Sequence, residues 1–134
     1  MPEPKAFIDS NVLIYLLSAD AGKADRAEIV LRKGGLISVQ VLNEIANVAL
    51  HKLGMSWEEI HEVLSLIRML CPNEPLAVET HDKGLFLAER YGLSVYDAMI
   101  VAAALIGKCE TLYSEDMQDG LLIDNQLRIC NPFK

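Results

Sequence analysis

The chain has 134 residues, 51% of them hydrophobic, and a formal net charge of −7. That composition excludes an intrinsically disordered chain and fits a single domain, residues 1–134, with a sizeable core. The acidic balance argues against a broad basic face for duplex DNA, and an odd set of cysteines (Cys71, Cys109, Cys130) without C-x-x-C spacing argues against a disulfide framework or structural zinc and for reduced, buried thiols.

The start, M-P-E-P-K, lacks the pattern of a signal peptide. Lys5 to Ile8 reads as a strand, and Val12 to Leu17 as a helix capped by Ser10 or Asn11. Lys23 to Arg32 carries Ala24, Ala27, Val30 and Leu31 at helical spacing and is broken by Gly34-Gly35. A second strand is expected at Leu36 to Val39, then a helix from Gln40 to Leu53 that stops at Gly54. Ser56-x-x-Glu59 is a capping box and starts a helix that runs to Leu70. Pro72 and Pro75 bound a loop, and Leu76 to Val78 reads as a third strand. The next helix follows Thr80-x-x-Lys83 and ends near Gly92. Tyr96 to Ile106 is the most apolar helix, expected to be buried on most sides. Its apolar run, Ala98 to Gly107, is about half a membrane span, so the protein is expected to be soluble and cytoplasmic. Strands at Thr111 to Tyr113 and Leu127 to Cys130 complete the pattern. Strands alternating with helices predict a parallel sheet covered by helices on both faces.

Four acids sit where these strands end or helices begin: Asp9, Glu44, Asp97 and Asp116. Singly, each has an ordinary reading. Asp97 fits a helix N-cap, Glu44 a solvated helix surface, and Asp116 and Asp119 turn positions. Asp9 is harder to place so, beside F-I and V-L-I. In an open parallel sheet the carboxyl ends of the strands form the binding edge, and Asp9 and Asp116 both follow strands. Clustered carboxylates repel one another unless a cation or protons neutralise them. Mg²⁺ and Mn²⁺ are the cations that prefer all-oxygen sites, and such sites suit phosphate chemistry. The scattered His51, His61 and His81 read as surface residues, and Asn43 and Asn47 as ordinary helix positions.

At these residues the chain resembles the PIN-domain family, in particular the VapC-like toxins of bacterial and archaeal toxin–antitoxin pairs. The matching segments are F-I-D-S-N-V-L-I-Y at 7–15, N-E-I-A-N at 43–47, L-S-V-Y-D-A-M-I-V-A-A-A-L at 93–105 and L-Y-S-E-D-M-Q-D-G at 112–120. They span nearly the whole chain in the family's order. The resemblance implies an α/β fold: three-layer α/β/α with a five-stranded parallel sheet. It implies Mg²⁺- or Mn²⁺-dependent hydrolysis of RNA, with Asp9, Glu44, Asp97 and Asp116 as the acidic quartet. Asp119 matches a further, less regular acidic position, and Ser10 the hydroxyl after the first strand. Ser114 stands where the family often has Thr. A homodimer and a basic antitoxin partner are also implied.

On this reading Asp9, Asp97 and Asp116 hold one or two ions, Glu44 ligates a second ion or acts as general base, and Ser10 and Asn11 position ligands or phosphate. A non-catalytic interaction module on the same fold is the competing reading, and it gives the quartet no role. A phosphotransfer receiver or a haloacid-dehalogenase-like enzyme also places Asp after a strand. The latter needs a second Asp two positions on, where this chain has Asn11.

Overall fold

A computed structural model describes residues 6–134, so the Lys5 end of the first expected strand and the M-P-E-P-K start lie outside the described residues. The central strand is β1 (Ala6–Ile8), where neighbouring side chains point to opposite faces of the sheet. Phe7 and Ile8 are both fully buried, so both faces are covered.

β1 pairs in parallel with β4 (Thr111–Tyr113), and β4 in parallel with β6 (Leu127–Cys130). β5 (Leu122–Ile123) adds to β6 antiparallel. On the other side, β2 (Ile37–Ser38) pairs in parallel with β3 (Asn73–Glu74). A parallel Phe7–Leu36 bridge joins that pair to β1, through Ile8 N–H to Leu36 O at 3.0 Å and Leu36 N–H to Ala6 O at 2.8 Å. The expected five parallel strands are thus divided. The continuous ladder has four strands, in the order β1-β4-β6-β5, and the remaining two form a separate two-residue pair.

Helices fill the connections: α1 (Ser10–Ile14) with a 3-10 turn over Tyr15–Leu17, α2 (Ala21–Lys33), α3 (Val39–His51), α4 (Trp57–Leu70), α5 (Val78–Tyr91) and α6 (Val95–Ile106). The Ser56–Glu59 capping box starts α4 as expected, and Gly92 ends α5 in the left-handed region at φ 68°. On α6, Ala98, Ile100, Val101, Ala102, Ala103 and Ala104 are buried, the helix expected to be most enclosed. No helix among the described residues is long and apolar enough to cross a membrane. Cys71 and Cys109 are buried free thiols, and burial pushes both up to about 11.

Three local expectations need correction. The third strand lies at Asn73–Glu74, not at 76–78, because Pro75 has no N–H to continue a ladder. Val78 already belongs to α5, whose start is closed by Ala77 N–H donating to Thr80 Oγ1 at 3.3 Å. β5 was not expected. It is too short to show a period of two, and its turn is carried by Asp124 and Asn125 at φ 50° and 56°. The cap of α1 is Asp9, not Ser10 or Asn11. The strand ends at Ile8 and the helix begins at Ser10, so Asp9 serves as both strand end and cap.

Gly35 lies where β2 approaches β1. A Cβ there would stand 2.7 Å from Ile8 Cδ1 and 3.4 Å from Ala6 O. Ile8 is fully buried and has little room to turn away. Gly35→Ala should therefore destabilise the protein by about 1–3 kcal/mol through overpacking. The check is a urea midpoint that falls with an unchanged slope; an unmoved midpoint would mean that Ile8 finds another rotamer.

Candidate functional site

The register of β1 on β4 builds the site. Ile8 pairs with Tyr113, and Asp9 N–H donates to Tyr113 O at 2.9 Å. The next residues along, Asp9 and Ser114, therefore meet: Ser114 Oγ donates to Asp9 Oδ2 at 2.9 Å. Asn11 Nδ2 donates to the same oxygen at 3.2 Å. Asp9 Oδ1 accepts from Ser10 N–H at 2.7 Å and lies 3.4 Å from Ser10 Oγ. Asp9 is 4% exposed, and every buried side-chain polar atom among the described residues has a hydrogen-bond partner.

Ser10 links Asp9 to the second acid. Its Oγ donates to Glu44 Oε1 at 3.2 Å. Glu44 sits in the second turn of α3, on the face that carries Gln40, Asn43 and Asn47. Gln40 hydrogen-bonds Glu44, and its Nε2 also donates to Tyr96 O at 3.0 Å, which ties α3 to the start of α6. At that start Ser94 is the N-cap, and its Oγ accepts the Asp97 N–H at 3.2 Å. Asp97 is therefore not the cap. Its carboxylate is hydrogen-bonded by the Ser94 side chain and lies in the field of Asp116.

Burial raises Asp9 from 3.8 to about 6 against the pull of its hydrogen bonds, and the charges of Glu44 and Asp97 add to the rise. Burial also raises Glu44, with repulsion from Asp97 and Asp116 behind it. Asp97 is raised by burial first and then by Asp116. The sequence-derived quartet thus shares one electrostatic neighbourhood, with Asp116 on the exposed turn after β4. Asp119 is engaged elsewhere. Its Oδ1 accepts from Asn131 N–H at 2.8 Å, and Lys134 Nζ stands 4.0 Å from Oδ2.

Among the described residues, no three carboxylate, histidine or cysteine side chains are drawn together into a ready metal cage. The donor chemistry nevertheless fits a hard divalent cation. Three carboxylates are raised above their ordinary values, partly by one another, and a cation with oxygen ligands would relieve that strain. Ser10 and Asn11 donate to carboxylates inside the site and so orient them. The histidines are exposed, as expected.

A second layer was not anticipated. Asn11 Oδ1 accepts from Glu115 N–H at 3.1 Å, and Asn11 Nδ2 lies 3.3 Å from Ser114 Oγ. The Glu115 carboxylate accepts from Tyr15 OH at 2.6 Å and Lys23 Nζ at 2.8 Å. Burial alone would raise Glu115, but these two bonds outweigh it and hold the carboxyl below its ordinary value. Lys23 and Glu115 lie 92 residues apart, so no local pattern announces the pair.

Folding favours the protonated form of Asp9, because its folded value lies above 3.8. Its contribution is full below about pH 3.8 and is lost as pH rises through about 6. Asp9→Asn cannot titrate. In chelator, the stability of this variant relative to the unaltered protein should rise between about pH 4 and about pH 7, by at most ~3 kcal/mol. Denaturation at a series of pH values checks this, and a flat difference would mean that Asp9 ionises as an ordinary carboxyl.

The comparisons bear on the fold and the family. The chain matches the solved structure of a toxin–antitoxin complex from Klebsiella pneumoniae with a TM-score of 0.72 at 22% identity, covering 95% of this chain and 97% of that one. The VapC20 toxin of Mycobacterium tuberculosis, described as cleaving the sarcin–ricin loop, matches at 0.68 and 17% identity, over 83% of this chain and 89% of that one. VapBC2 from Rickettsia felis, bound to a DNA fragment from their promoter, matches at 0.66 and 17%, over 94% and 98%. At these identities the likeness is one of fold. A search of curated proteins finds no match. The family model described as the PIN domain matches residues 6–118, a span that includes Asp9, Glu44, Asp97 and Asp116, and the protein belongs to the PIN domain family.

Proposed function

We propose that this protein is a divalent-metal-dependent endoribonuclease that hydrolyses RNA phosphodiester bonds and acts as the toxin of a toxin–antitoxin pair. The observation that carries the reading is the shared neighbourhood of Asp9, Glu44, Asp97 and Asp116 beyond the carboxyl ends of β1 and β4, in a member of the PIN family. A non-catalytic module would leave the gathering of Glu44, Asp97 and Asp116 about Asp9 without a purpose.

Asp9, Asp97 and Asp116 are the residues that would hold Mg²⁺ or Mn²⁺. When bound, such an ion supplies an activated water and neutralises charge on the phosphate. Asp9 is the fixed ligand, locked by Ser10, Asn11 and Ser114. Glu44 is half-buried and raised, which suits a group that accepts a proton from water. Ser10 Oγ fixes the Glu44 carboxylate relative to Asp9. Asp119 is assigned a minor part, since one of its oxygens is committed to Asn131.

The partners proposed are an RNA substrate, a second copy of the chain and a basic antitoxin. Trp57, Leu66, Met69 and Leu70 on α4 are exposed at 62%, 55%, 83% and 47%, apolar surface that a homodimer would cover. A groove of about 570 Å³ is lined by Ile14, Leu17, Val48 and Leu53 together with Asn11 and Glu115. It would lead an antitoxin segment to the carboxylates, where an arginine would pair them in two-point geometry.

Cleavage of RNA should require a divalent ion and stop in EDTA. Asp9→Asn, Glu44→Gln, Asp97→Asn and Asp116→Asn should each lower the rate by about a hundredfold or more. Asp119→Asn should cost only a few-fold. Folding of each variant is confirmed by circular dichroism; full activity in EDTA or in Asp97→Asn would sink the mechanism.

The partner claims have a separate check. Light scattering should give the mass of a dimer, and co-expression with the product of the adjacent gene should yield a complex that dissociates more readily as salt rises. A monomer at high concentration removes the dimer. An adjacent product that neither binds nor restores growth removes the toxin–antitoxin pairing and leaves the nuclease reading standing.

A further inference from the structure

Asp116 is the member of the quartet with the least support of its own. It is exposed, and the residues from Ser114 to Asp119 belong to no helix or strand. What fixes it is its neighbours. On one side Ser114 Oγ is bonded to Asp9 and accepts the Met117 N–H at 3.4 Å. Immediately before it, Glu115 is held twice: at the backbone by Asn11, and at the carboxylate by Tyr15 and Lys23.

Lys23 is placed at some cost. It lies in the first turn of α2, three residues after the Asp20 cap, where the helix dipole disfavours a cation. Its ammonium turns across to Glu115 and lies 3.0 Å from Tyr15 Oη. It stands 4.5 Å from the Tyr15 ring centroid and 5.4 Å from that of Phe133, and those two rings meet edge-on at 4.8 Å. Tyr15 and Lys23 thus meet on one carboxylate next to Asp116, with Phe133 packed against both. The Lys23 and Glu115 side chains are 37% and 24% exposed, and a pair so wetted contributes little to global stability. Local geometry is what it can set.

We propose that Lys23, Tyr15 and Glu115 form a clamp that positions Asp116 against Asp9 for divalent-cation binding. They are positioning residues: none is assigned contact with the ion or with RNA. The proposal rests on the metal-dependent reading above. Groups that orient a metal ligand typically change affinity by ten- to a hundredfold when removed.

The test compares the unaltered protein, Lys23→Met, Lys23→Arg and Tyr15→Phe by calorimetric titration with Mn²⁺. Lys23→Met should weaken Mn²⁺ binding about tenfold, with a denaturation midpoint in chelator close to that of the unaltered protein. Lys23→Arg should recover most of the affinity, because a guanidinium can pair with the same carboxylate. Tyr15→Phe removes one hydroxyl and keeps the rings, and it stands in if Lys23→Met fails to fold. In chelator, where no metal contributes, amide exchange at Glu115 should quicken in Lys23→Met. Unchanged Mn²⁺ affinity, or unchanged exchange at Glu115, overturns the clamp. Failure of the unaltered protein to bind Mn²⁺ overturns the quartet reading beneath it, and that titration tells the two failures apart.

Discussion

A carboxylate inside a protein needs donors for both of its oxygens, and Asp9 takes them from β1's own continuation, from α1 and from the end of β4. Those donors exist only when β1 and β4 are in register, with Ile8 opposite Tyr113. A slip of one residue would turn every side chain to the opposite face and carry Ser114 away from Asp9. The same hydrogen bonds that satisfy Asp9 therefore enforce the register of the central strands. Even so, they do not cancel the penalty of burial, because Asp9 remains raised to about 6. The site stores unfavourable charge in a rigid frame, and a frame of that kind is what a hard cation needs.

Much of this was legible in the sequence, for identifiable reasons. Asp9 and Asp116 follow short apolar runs, and in a parallel sheet that places them at the binding edge. Glu44 and Asp97 lie near helix starts, where a carboxylate points along the same edge. The longer helices were readable because 12 or more residues of periodic pattern with a marked start or end leave little freedom, as Ser56–Glu59 and Gly92 illustrate. The strands were less so. β3 and β5 have two residues each, fewer than a period of two can reveal. At 76–78 the apolar, β-branched character of Leu76-Ala77-Val78 pointed to a strand, and Pro75 decided otherwise.

The site's outer layer was hidden for a different reason. Glu115 beside Asp116 looks like one more solvated acid, and Lys23 like one more charge on an amphipathic helix. Only the fold brings them within 2.8 Å. Asn11 shows an intermediate case. Its position two residues after Asp9 hinted at a role, but that it serves Asp9 through Nδ2 and Glu115 through Oδ1 follows from the packing of α1 against the turn after β4. Asp119 illustrates the converse: a carboxylate near the acids in sequence is turned toward Asn131 and Lys134.

The outermost strands, β3 and β5, have a bearing on how the molecule meets its neighbours. Each has two residues, and β3 is closed by Pro75. Open sheet margins invite other chains to add on by backbone pairing, the usual route to uncontrolled aggregation. Margins this short offer no template of useful length. Contacts with other molecules are left to side chains on the helices, where fit depends on shape and charge rather than on backbone pairing.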